Sequence, residues 1–578
     1  GTELEMSSDS LDLVVNPTDE LLLGQTYVVF DTETTGFNAG LNDQMIEIGA
    51  VKIRDGIVLD SFDRLINPGR HIDAEITKLT GITDAMVSEC DNEEVVTKDF
   101  KEWIGNLPLV AHNARFDISM LGMAYYKYNL GTLDNIVVDT LTISQVINKD
   151  LKRHSLTALT KNYGIEFEEN DEDTVSEKHH HRADYDAEFT GYMFNKMLEQ
   201  IDKLGIKTFN ELANIPTEEE INRLDRESHV NFIARTRVGL KNMFKIISYA
   251  STKYLVKSAR IPKKLINDYR EDLLVGSGCY NGEIFKLALT KTDEDLIKAM
   301  EFYDYIEVQA PSNYTHLVAR HDINNMDEVK FAISKIVKCA KKCGKLIVAT
   351  GDAHTLNKED KIYREIIVNQ NVPGKGRHPL ARYLNTPGYN TIPDQYFRTT
   401  DEMLEEFAFL GEDLAYEIVV ENPNKFPDMV EDIEVIIDTG GIPFSPRIDK
   451  SVETVTDLVY TKASSWYGEP LPYNIEERIA KELYGDAVYR CTKDEILRKN
   501  PDISSEELER LSFKGVHDTI LKGFDAVKDL IREDLKLKDD TLSGEDLEKK
   551  VKKELGGIIG GGFDVIYLIA QKLVKKSN

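Results

Sequence analysis

Short apolar runs alternate with helix-like segments over the first third of the chain. Residues 27–30 and 45–53 are rich in β-branched and aromatic side chains, which favours strands. A third strand is expected to close at Leu65-Ile-Asn-Pro68, because proline cannot continue a strand ladder. Apolar residues then recur with helical spacing in three segments, 99–104, 116–128 and 184–197. This alternation predicts an α/β layer domain.

The remaining chain divides into a second α/β region and a helical region. A polar, helix-favouring stretch near 218–227 is followed by strand-like runs at 273–275, 305–308 and 346–349, within a region of about 228–424. The residues after 424 are mainly helical, with a charge-rich segment (504–553) and a glycine cluster (556–562). The predicted fold class is therefore α/β multidomain with a mainly helical C-terminal region.

Length and charge narrow the class of protein. A chain of 578 residues predicts several domains. The 71 Lys+Arg against 101 Asp+Glu give a net charge of −30, which excludes a generally basic nucleic-acid coat and a membrane-surface binder but leaves room for a local basic groove. The first residue is glycine rather than methionine, and we expect a chain cut at both ends.

Cysteines and apolar stretches indicate the compartment. The five cysteines include no CxxC pair and are too few for a disulfide framework. The polar, acidic N-terminus is unlike a signal peptide, and every apolar stretch falls far short of the ~20 residues of a membrane span. We therefore expect a cytoplasmic protein with no membrane partner.

The first strand ends in an acidic motif, Phe30-Asp-Thr-Glu-Thr-Thr-Gly36. Strand residues two apart point to the same face, so Asp31 and Glu33 present two carboxylates together. Two like charges held close are costly unless a cation lies between them, and oxygen-only ligands favour Mg²⁺ or Mn²⁺. Acidic strand ends before glycine turns are also common without any metal, so the motif alone leaves both interpretations open.

Two later clusters carry the same chemistry. The segment Leu109-Val-Ala-His-Asn-Ala-Arg-Phe-Asp117 runs from an apolar strand through a His-Asn turn into a helix with Asp117. In His179-His-His-Arg-Ala-Asp-Tyr-Asp186, His181 can lean over a metal bound by Asp186 if the histidine lies on the loop before the helix. The alternative is a polar loop, or casual metal binding by three adjacent histidines.

Together these motifs resemble the proofreading exonucleases of the four-carboxylate-plus-histidine (DEDDh) class, which have a ribonuclease-H-like fold. The segments Ile46-Glu-Ile-Gly-Ala50, Leu79-Thr-Gly-Ile-Thr83 and Asp139-Thr-Leu141 agree with the resemblance. It implies two Mg²⁺ or Mn²⁺ ions, a pair that can activate water and stabilise the leaving oxygen in phosphodiester hydrolysis. The implied metal ligands are Asp31, Glu33, Asp117 and Asp186. His181, with an ordinary pKa near 6.5, is the implied general base.

The chain after the exonuclease-like region resembles part of a second family. The segments are residues 229–243, Leu274-Val-Gly-Ser-Gly-Cys279, residues 302–309 and Val348-Ala-Thr-Gly-Asp-Ala-His354. They are similar to the second half of the PHP (polymerase and histidinol phosphatase) domain of bacterial replicative polymerases, and residues 562–574 look like the lead-in to a polymerase palm. An exonuclease inside a PHP domain and ahead of a palm is the arrangement of the PolC-type DNA polymerase III alpha subunit, and we expect a fragment of such a protein.

The resemblance implies a domain organisation. We expect the end of a first PHP part at 1–24, the 3′→5′ exonuclease at 25–200, the second PHP part at 201–424, and the start of the palm region with a charge-rich insert at 425–578. Two features of the family do not appear in the sequence, the His-x-His metal pair of the first PHP part and the palm with its catalytic aspartates. The chain is therefore expected not to polymerise DNA by itself.

A second metal site is implied in the PHP-like region. Its candidate ligands, for Zn²⁺ or Mn²⁺, are Glu3, His229, Cys279, Asp352 and His354. Asp352 and His354 lie two apart at a strand end, and Cys279 lies in a glycine-rich turn. The alternative is that the cysteine and His229 are core residues, since a lone buried cysteine usually serves packing.

A basic stretch stands out in the acidic chain. Residues 235–264 hold nine Lys/Arg and no Asp or Glu, with Tyr249 and Tyr254 among them. This pattern suits a surface that contacts DNA phosphates, with the following candidates: Arg235, Arg237, Lys241 and Lys245. An amphipathic helix with a solvated basic face explains the same pattern.

These observations predict the proofreading exonuclease portion of a bacterial replicative DNA polymerase. Its expected partners are a single-stranded or frayed DNA 3′ terminus, the remainder of the polymerase and its sliding clamp. The alternatives are a stand-alone repair or RNA-trimming exonuclease with an appended phosphoesterase-like domain, and a scaffold whose sites are inactive. The presence of all five exonuclease residues argues against the scaffold.

Overall fold

The computed structural model describes residues 2–165, 183–372, 376–378, 380–381, 392–436 and 446–577. It divides into two compact units, Gly1–Val435 and Ile436–Asn578. The strands, all in the first unit, are β1 (Thr2–Ser7), β2 (Val14–Val15), β3 (Tyr27–Thr34), β4 (Met45–Arg54), β5 (Ile57–Leu65), β6 (Leu109–Ala111), β7 (Val137–Asp139), β8 (Ser228–Ala234), β9 (Arg260–Pro262), β10 (Leu273–Gly276), β11 (Tyr305–Gln309), β12 (Leu346–Thr350), β13 (Asn371–Val372) and β14 (Gly376–Arg377).

Helices connect these strands within the first unit. They are α1 (Ala74–Thr80), α2 (Asp84–Val87), α3 (Glu93–Ile104), α4 (Ala114–Lys127), α5 (Thr140–Ile147), α6 (Leu156–Asn162), α7 (Ala183–Lys203), α8 (Phe209–Ala213), α9 (Glu218–Leu224), α10 (Arg237–Ser251), α11 (Lys263–Tyr269), α12 (Glu283–Thr290), α13 (Asp293–Met300), α14 (Thr315–Ala319), α15 (Met326–Lys342), α16 (Lys361–Asn369), α17 (Thr400–Glu406), α18 (Glu412–Tyr416) and α19 (Phe426–Met429). Short 3₁₀ helices lie at Pro311–Tyr314, Lys358–Asp360, Ala408–Leu410 and Pro423–Lys425, and a π-helical turn at Glu417–Glu421.

Sheet I has the strand order β2-β7-β6-β3-β4-β5. The central strand β3 pairs antiparallel with β4 and parallel with β6, so it has neighbours on both sides. Its apolar half is buried on both faces, which explains the uninterrupted apolar run from Tyr27 to Phe30. Val28 and Phe30 pack in one core with α3 and α4, whereas Tyr27 and Val29 pack in a second core with α7.

The third strand of sheet I ends where the sequence predicted. We expected a strand closing at 65–68, and β5 covers Ile57–Leu65 and ends before Pro68. It is the edge strand of the sheet, and most of its side chains are exposed or half-buried. An edge strand needs no apolar alternation, so Pro68 rather than an apolar pattern was the signal for this strand.

Sheet II has the strand order β12-β11-β10-β8-β1-β9. The strands β10, β11 and β12 are parallel, and β8 runs antiparallel between β10 and β1. The first strand of the chain therefore pairs with a strand more than 200 residues later, Thr2 lying opposite Phe232. All of sheet I lies in sequence between these two paired strands.

The second unit consists of helices in the part that the structure describes. They are α20 (Ser451–Tyr467), α21 (Tyr473–Tyr484), α22 (Ala487–Lys499), α23 (Ser505–Lys522), α24 (Phe524–Lys538), α25 (Gly544–Glu554), α26 (Gly557–Gly560) and α27 (Asp564–Ser577). They enclose a core of their own that includes Leu483, Val488 and Ile531. The predicted fold class, two α/β layers and a mainly helical C-terminal region, is confirmed. Over the ranges given above, every helix is too short or too polar to cross a bilayer.

Candidate active site

The acidic end of β3 lies at the centre of sheet I, where the two cores give way to polar residues. Side chains alternate along a strand, so Asp31 and Glu33 continue the face of Val29 toward α7. Thr32 continues the face of Val28 and Phe30 toward α4. The strand therefore sends its carboxylates to one side and a buried hydroxyl to the other.

Asp117 is fixed to this strand by two hydrogen bonds to one of its oxygens. Its Oδ1 accepts from the backbone N–H of Thr32 at 3.0 Å and from the Thr32 hydroxyl at 2.7 Å. The side chain of Asp117 lies in the first turn of α4, and the residue is only 2% exposed. Because Oδ1 is held by two donors, the Asp117 carboxylate is oriented relative to the strand that carries Asp31.

A left-handed residue directs α4 to that position. Asn113 precedes the helix with φ 65°, a conformation that asparagine adopts more readily than most residues. Its N–H donates to Asp139 Oδ1 at 3.0 Å, and Asp139 in turn caps α5 through the N–H of Leu141. The predicted His-Asn turn thus ties the end of β6 to the end of β7.

Glu47 is a buried carboxylate that the sequence analysis did not single out. It lies on β4 directly opposite Glu33 and is fully buried, and its Oε2 accepts the N–H of Ala183 at 3.0 Å. Ala183 is the first residue of α7, so Glu47 holds the start of the helix that carries Asp186. A glutamate inside the apolar run of residues 45–53 was the available signal, since an acidic residue is rarely buried without a partner.

The carboxylates shift one another's titration. Burial raises the pKa of Asp31 well above its ordinary value, and the charges of Asp117, Glu33, Asp186 and Glu47 raise it further. Burial likewise raises the pKa of Asp117 to about 7, against the opposing effect of the Thr32 hydrogen bonds. Such crowding favours protons or a bound cation between the groups, and a set of oxygen donors suits a hard divalent ion.

The structure thus brings four predicted metal ligands into one electrostatic group: Asp31, Glu33, Asp117 and Asp186. His181 and its neighbours His179 and His180 lie outside the described residues. His112, also in the predicted motif, is half-buried with Nδ1 2.9 Å from the Thr140 hydroxyl. Its burial lowers its pKa to about 4, so His112 is neutral near pH 7.

Three of the five candidate ligands in sheet II also come together. One ligand atom from each of Glu3, His229 and Cys279 lies within 4.8 Å of the other two. His229 Nδ1 is 3.1 Å from Glu3 Oε1 and 3.2 Å from Cys279 Sγ. Burial alone lowers the pKa of His229, but the hydrogen bonds to Cys279 and Glu3 outweigh it and raise the pKa to about 10.

Asp352 and His354 are not members of this three-residue group. Asp352 follows β12 with φ 46°, and its Oδ2 accepts from Gln395 Nε2 at 2.5 Å. Glu307 on β11, which the sequence analysis passed over, is within electrostatic reach of both Asp352 and Glu3. Burial and then these charges raise its pKa, while a hydrogen bond from Thr350 opposes them. The two halves of the candidate set therefore flank Glu307.

The first half of the basic stretch lies on α10 and just before it. The buried face of this helix includes Leu240, Met243 and Ile246, and its opposite face is solvated. The four predicted DNA contacts are exposed: Arg235, Arg237, Lys241 and Lys245. Arg235 Nε donates to the carbonyl of Met429 at 3.1 Å, and Lys245 Nζ lies 5.3 Å from the ring centre of Tyr269. DNA binding by this face stays a prediction.

Family models match two parts of the chain. Residues 28–194 match the exonuclease model, and residues 143–314 match the PHP domain model. The first match includes β3, α4 and the start of α7, which carry the clustered carboxylates. The exonuclease match implies a requirement for divalent metal ions.

Solved structures with a similar arrangement include two exonucleases. Exonuclease X in complex with 5′ overhanging duplex DNA is 25% identical, covers 33% of this chain and 98% of its own, and has a TM-score of 0.25. The nuclease domain of 3′hExo, a DEDDh family member bound to rAMP, is 16% identical, covers 30% of this chain and 92% of its own, and has a TM-score of 0.25.

Several relatives with longer matches are described as DNA polymerase III PolC-type. The protein of Staphylococcus haemolyticus is 39% identical over 483 residues, which is 84% of this chain and 32% of that protein. Those of Staphylococcus aureus and Bacillus cereus are 38% and 37% identical, covering 87% and 86% of this chain and 34% of each relative. The chain therefore spans about a third of the length of these relatives. Over most of its length this chain is a homologue of the PolC-type DNA polymerase III proteins, and it contains an exonuclease domain and a PHP domain.

Proposed function

We propose that this chain is the 3′→5′ proofreading exonuclease portion of a bacterial replicative DNA polymerase. The observation that carries the proposal is the convergence of Asp31, Glu33, Asp117 and Asp186 on the end of a central strand. The exonuclease match covers these residues, and the PolC-type relatives favour a replicative polymerase over a stand-alone repair or RNA-trimming enzyme. The substrate is the phosphodiester bond at a DNA 3′ terminus.

The carboxylates fit a pair of Mg²⁺ or Mn²⁺ ions. Asp31, Glu33, Asp117 and Asp186 would hold the two ions between them. When bound, such a pair activates water and stabilises the charge of the leaving 3′ oxygen. The raised pKa values of Asp31 and Asp117 support this assignment, because a divalent cation would stabilise the charged form that burial and neighbouring carboxylates disfavour.

Other residues of the chain orient the metal ligands and deprotonate the attacking water. Thr32 orients Asp117 through two hydrogen bonds, and Glu47 positions the start of α7, three residues before Asp186. His181 takes the proton of the attacking water as general base. An unpaired 3′ end is preferred, because the site must receive unpaired nucleotides. A mismatched end separates from its template at the lowest free-energy cost.

We propose the domain organisation that the sequence predicts. We propose an exonuclease at 25–200 inserted between a first PHP part ending at 24 and a second part at 201–424, with the palm region starting at 425. The pairing of β1 with β8 across the whole of sheet I supports the insertion. Its partners would be the remainder of the polymerase and its sliding clamp, and a DNA substrate puts the protein in the cytoplasm.

A second divalent ion, Zn²⁺ or Mn²⁺, is proposed for the PHP domain. Glu3, His229 and Cys279 supply a mixed oxygen, nitrogen and sulfur set at suitable mutual distances. Asp352 and His354 lie outside this three-residue group, so they would bind a metal only at a separate position near Glu307. Removal of this metal by a chelator should lower the thermal stability of the first unit.

The test of the main proposal is hydrolysis of a 3′-mismatched primer annealed to a template, followed on a sequencing gel with Mg²⁺ or Mn²⁺. We expect stepwise shortening from the 3′ end, slower on a matched primer and absent with Asp31→Asn. A matching RNA primer measures preference for DNA. Shortening that starts at the 5′ end, or equal activity of Asp31→Asn, would show that the proposed function is wrong.

A further inference from the structure

The loop between β3 and β4 leads directly out of the acidic strand end. Its two ends are joined, since the N–H of Thr35 donates to the carbonyl of Gln44 at 2.9 Å. The carboxylate of Asp43 is buried and accepts from the N–H of Asn38 at 2.9 Å and from Arg70 at 2.9 Å. We call residues 36–43 the strand-exit loop.

The strand-exit loop reaches across to the PHP layer. The N–H of Gly40 donates to the carbonyl of Leu289 at 2.7 Å, and the Asn38 side-chain amide donates to the carbonyl of Asp322 at 2.6 Å. Ala39 is buried in the exonuclease core, whereas Leu41 packs against the core of the PHP layer. The loop is therefore fastened to both layers within a few residues.

Gly40 allows the closest of these approaches. A Cβ atom at this position would lie 2.6 Å from the carbonyl oxygen of Ala288 and 2.8 Å from the carbonyl carbon of Leu289. Both partners are backbone atoms of α12 and cannot rotate away. Any other residue at position 40 must push the loop off the helix.

Lys335 of α15 closes the contact. Its Nζ donates to three backbone carbonyls: Gly40 at 3.2 Å, Ala288 at 3.0 Å and Lys291 at 2.5 Å. The residue is only 8% exposed. Two of its acceptors lie at the C-terminal end of α12, where carbonyls lack helical partners and a cation is favoured. The third belongs to the loop, so one ammonium group bonds both layers.

We propose that Lys335 is a positioning residue for the exonuclease reaction, holding the strand-exit loop against the PHP layer; this rests on the proposed function. The loop carries Phe37, which is 56% exposed and whose ring centre lies 6.2 Å from that of Phe116, the neighbour of Asp117. In its present position Phe37 offers an exposed ring near the carboxylates, on which an unpaired base would stack. Displacement of the loop would move this ring away from that position. Asp31 and Glu33 keep their places because the strand itself holds them.

The test uses the full 578-residue chain with Lys335→Met, which removes the ammonium group and keeps an unbranched apolar side chain. For a single-stranded oligonucleotide we expect kcat/KM to fall roughly 10- to 100-fold, carried by KM, as for a misplaced binding element. Gly40→Ala should act in the same direction, and the double variant should be little worse than either single one. The matched control is Lys338→Met on the same helix, whose side chain is 74% exposed and pairs with Asp293 at 3.6 Å.

Amide hydrogen exchange of residues 36–44 provides a readout that does not need activity. Lys335→Met should speed exchange in this segment, including the Gly40 amide, whereas Lys338→Met should not. Unchanged exchange would overturn the anchoring, and faster exchange with unchanged KM would overturn the positioning role. A fall in melting temperature with equal loss across kcat and KM would reduce Lys335 to a structural residue. An inactive unmutated chain would instead refute the proposed function, while exchange would still report on the anchoring.

Discussion

Substitution of the Thr32 hydroxyl provides the most direct test of the candidate metal site. We predict that Thr32→Val lowers the affinity of the candidate site for divalent metal ions without unfolding the domain. Valine has nearly the same shape and favours strands, so the change removes one hydrogen bond and little else. The bond lost is the 2.7 Å contact to Asp117 Oδ1, while the 3.0 Å bond from the Thr32 backbone N–H remains.

The size of the effect follows from the charge on Asp117. A hydrogen bond to a charged group contributes about 1.5–3 kcal/mol, and about 1.4 kcal/mol corresponds to a tenfold change in an equilibrium constant. Substitution of a residue that orients a metal ligand typically lowers metal affinity about 10–100-fold. We therefore expect the Mn²⁺ concentration for half-maximal exonuclease activity to rise roughly tenfold or more.

The pH dependence of the Thr32→Val defect provides an independent test. The Thr32 bonds lower the pKa of Asp117 against burial, which raises it to about 7. Loss of one bond raises that pKa further, so more Asp117 is protonated near neutral pH and the metal must displace a proton. The defect of Thr32→Val should therefore be larger at pH 6.5 than at pH 8.5.

The matched control lies two residues along the same strand. Thr34 is similarly buried, but its hydroxyl donates to the carbonyl of Gly36 at 2.7 Å rather than to a carboxylate. Thr34→Val should cost comparable stability in a thermal melt and leave the Mn²⁺ titration unchanged. Equal titration curves for the two variants, or a defect at pH 8.5 as large as at pH 6.5, would refute the role assigned to Thr32.

Three further predictions follow from other residues. His181→Ala should lower the exonuclease rate roughly 10²–10⁴-fold and remove the acidic limb of the pH profile, while binding of DNA persists; an unaltered rate would transfer the role to water or to His179 or His180. The 578-residue chain should shorten a primer and never extend it with all four nucleotides present, and template-directed extension would contradict the assignment. Burial of His316 lowers its pKa to about 3, so only the unfolded chain takes up its proton between pH 6.5 and 3. The free energy of unfolding should therefore fall by ~2 kcal/mol from pH 6.5 to 5, and His316→Phe should flatten this dependence in thermal melts.

The sequence predicted most of the strands that carry chemistry because they are buried on both faces. The apolar runs of β3 and β12 are uninterrupted and lead into acidic residues, whereas β4 and β11 are mainly apolar with a glutamate inside each, Glu47 and Glu307. The edge strand β5 lacks such a run, and the sequence predicted only its end, ahead of Pro68. The start of α7 at Ala183 agrees with the helical spacing predicted from residue 184.

What the sequence could not predict are contacts between residues distant in the chain. Glu47 reads as one charge in an apolar strand, and its bond to Ala183 exists only because β4 lies beneath the start of α7. Lys335 reads as one of several lysines in α15, and nothing local separates it from Lys338. Its burial follows from packing of α15 against α12 and the strand-exit loop.

The pairing of β1 with β8 has a consequence for how the chain folds. Closing a long loop costs conformational entropy and slows folding, and Thr2 must find Phe232 across the whole exonuclease domain. The two ends of that domain are, however, bound to each other: the N–H of Leu22 donates to the carbonyl of Lys207 at 2.9 Å, and that of Asn210 to the carbonyl of Thr18 at 2.9 Å. Once the exonuclease domain has folded, the effective loop between β1 and β8 shrinks to the short segments on either side of it. We therefore expect the exonuclease domain to fold before β1 pairs with β8.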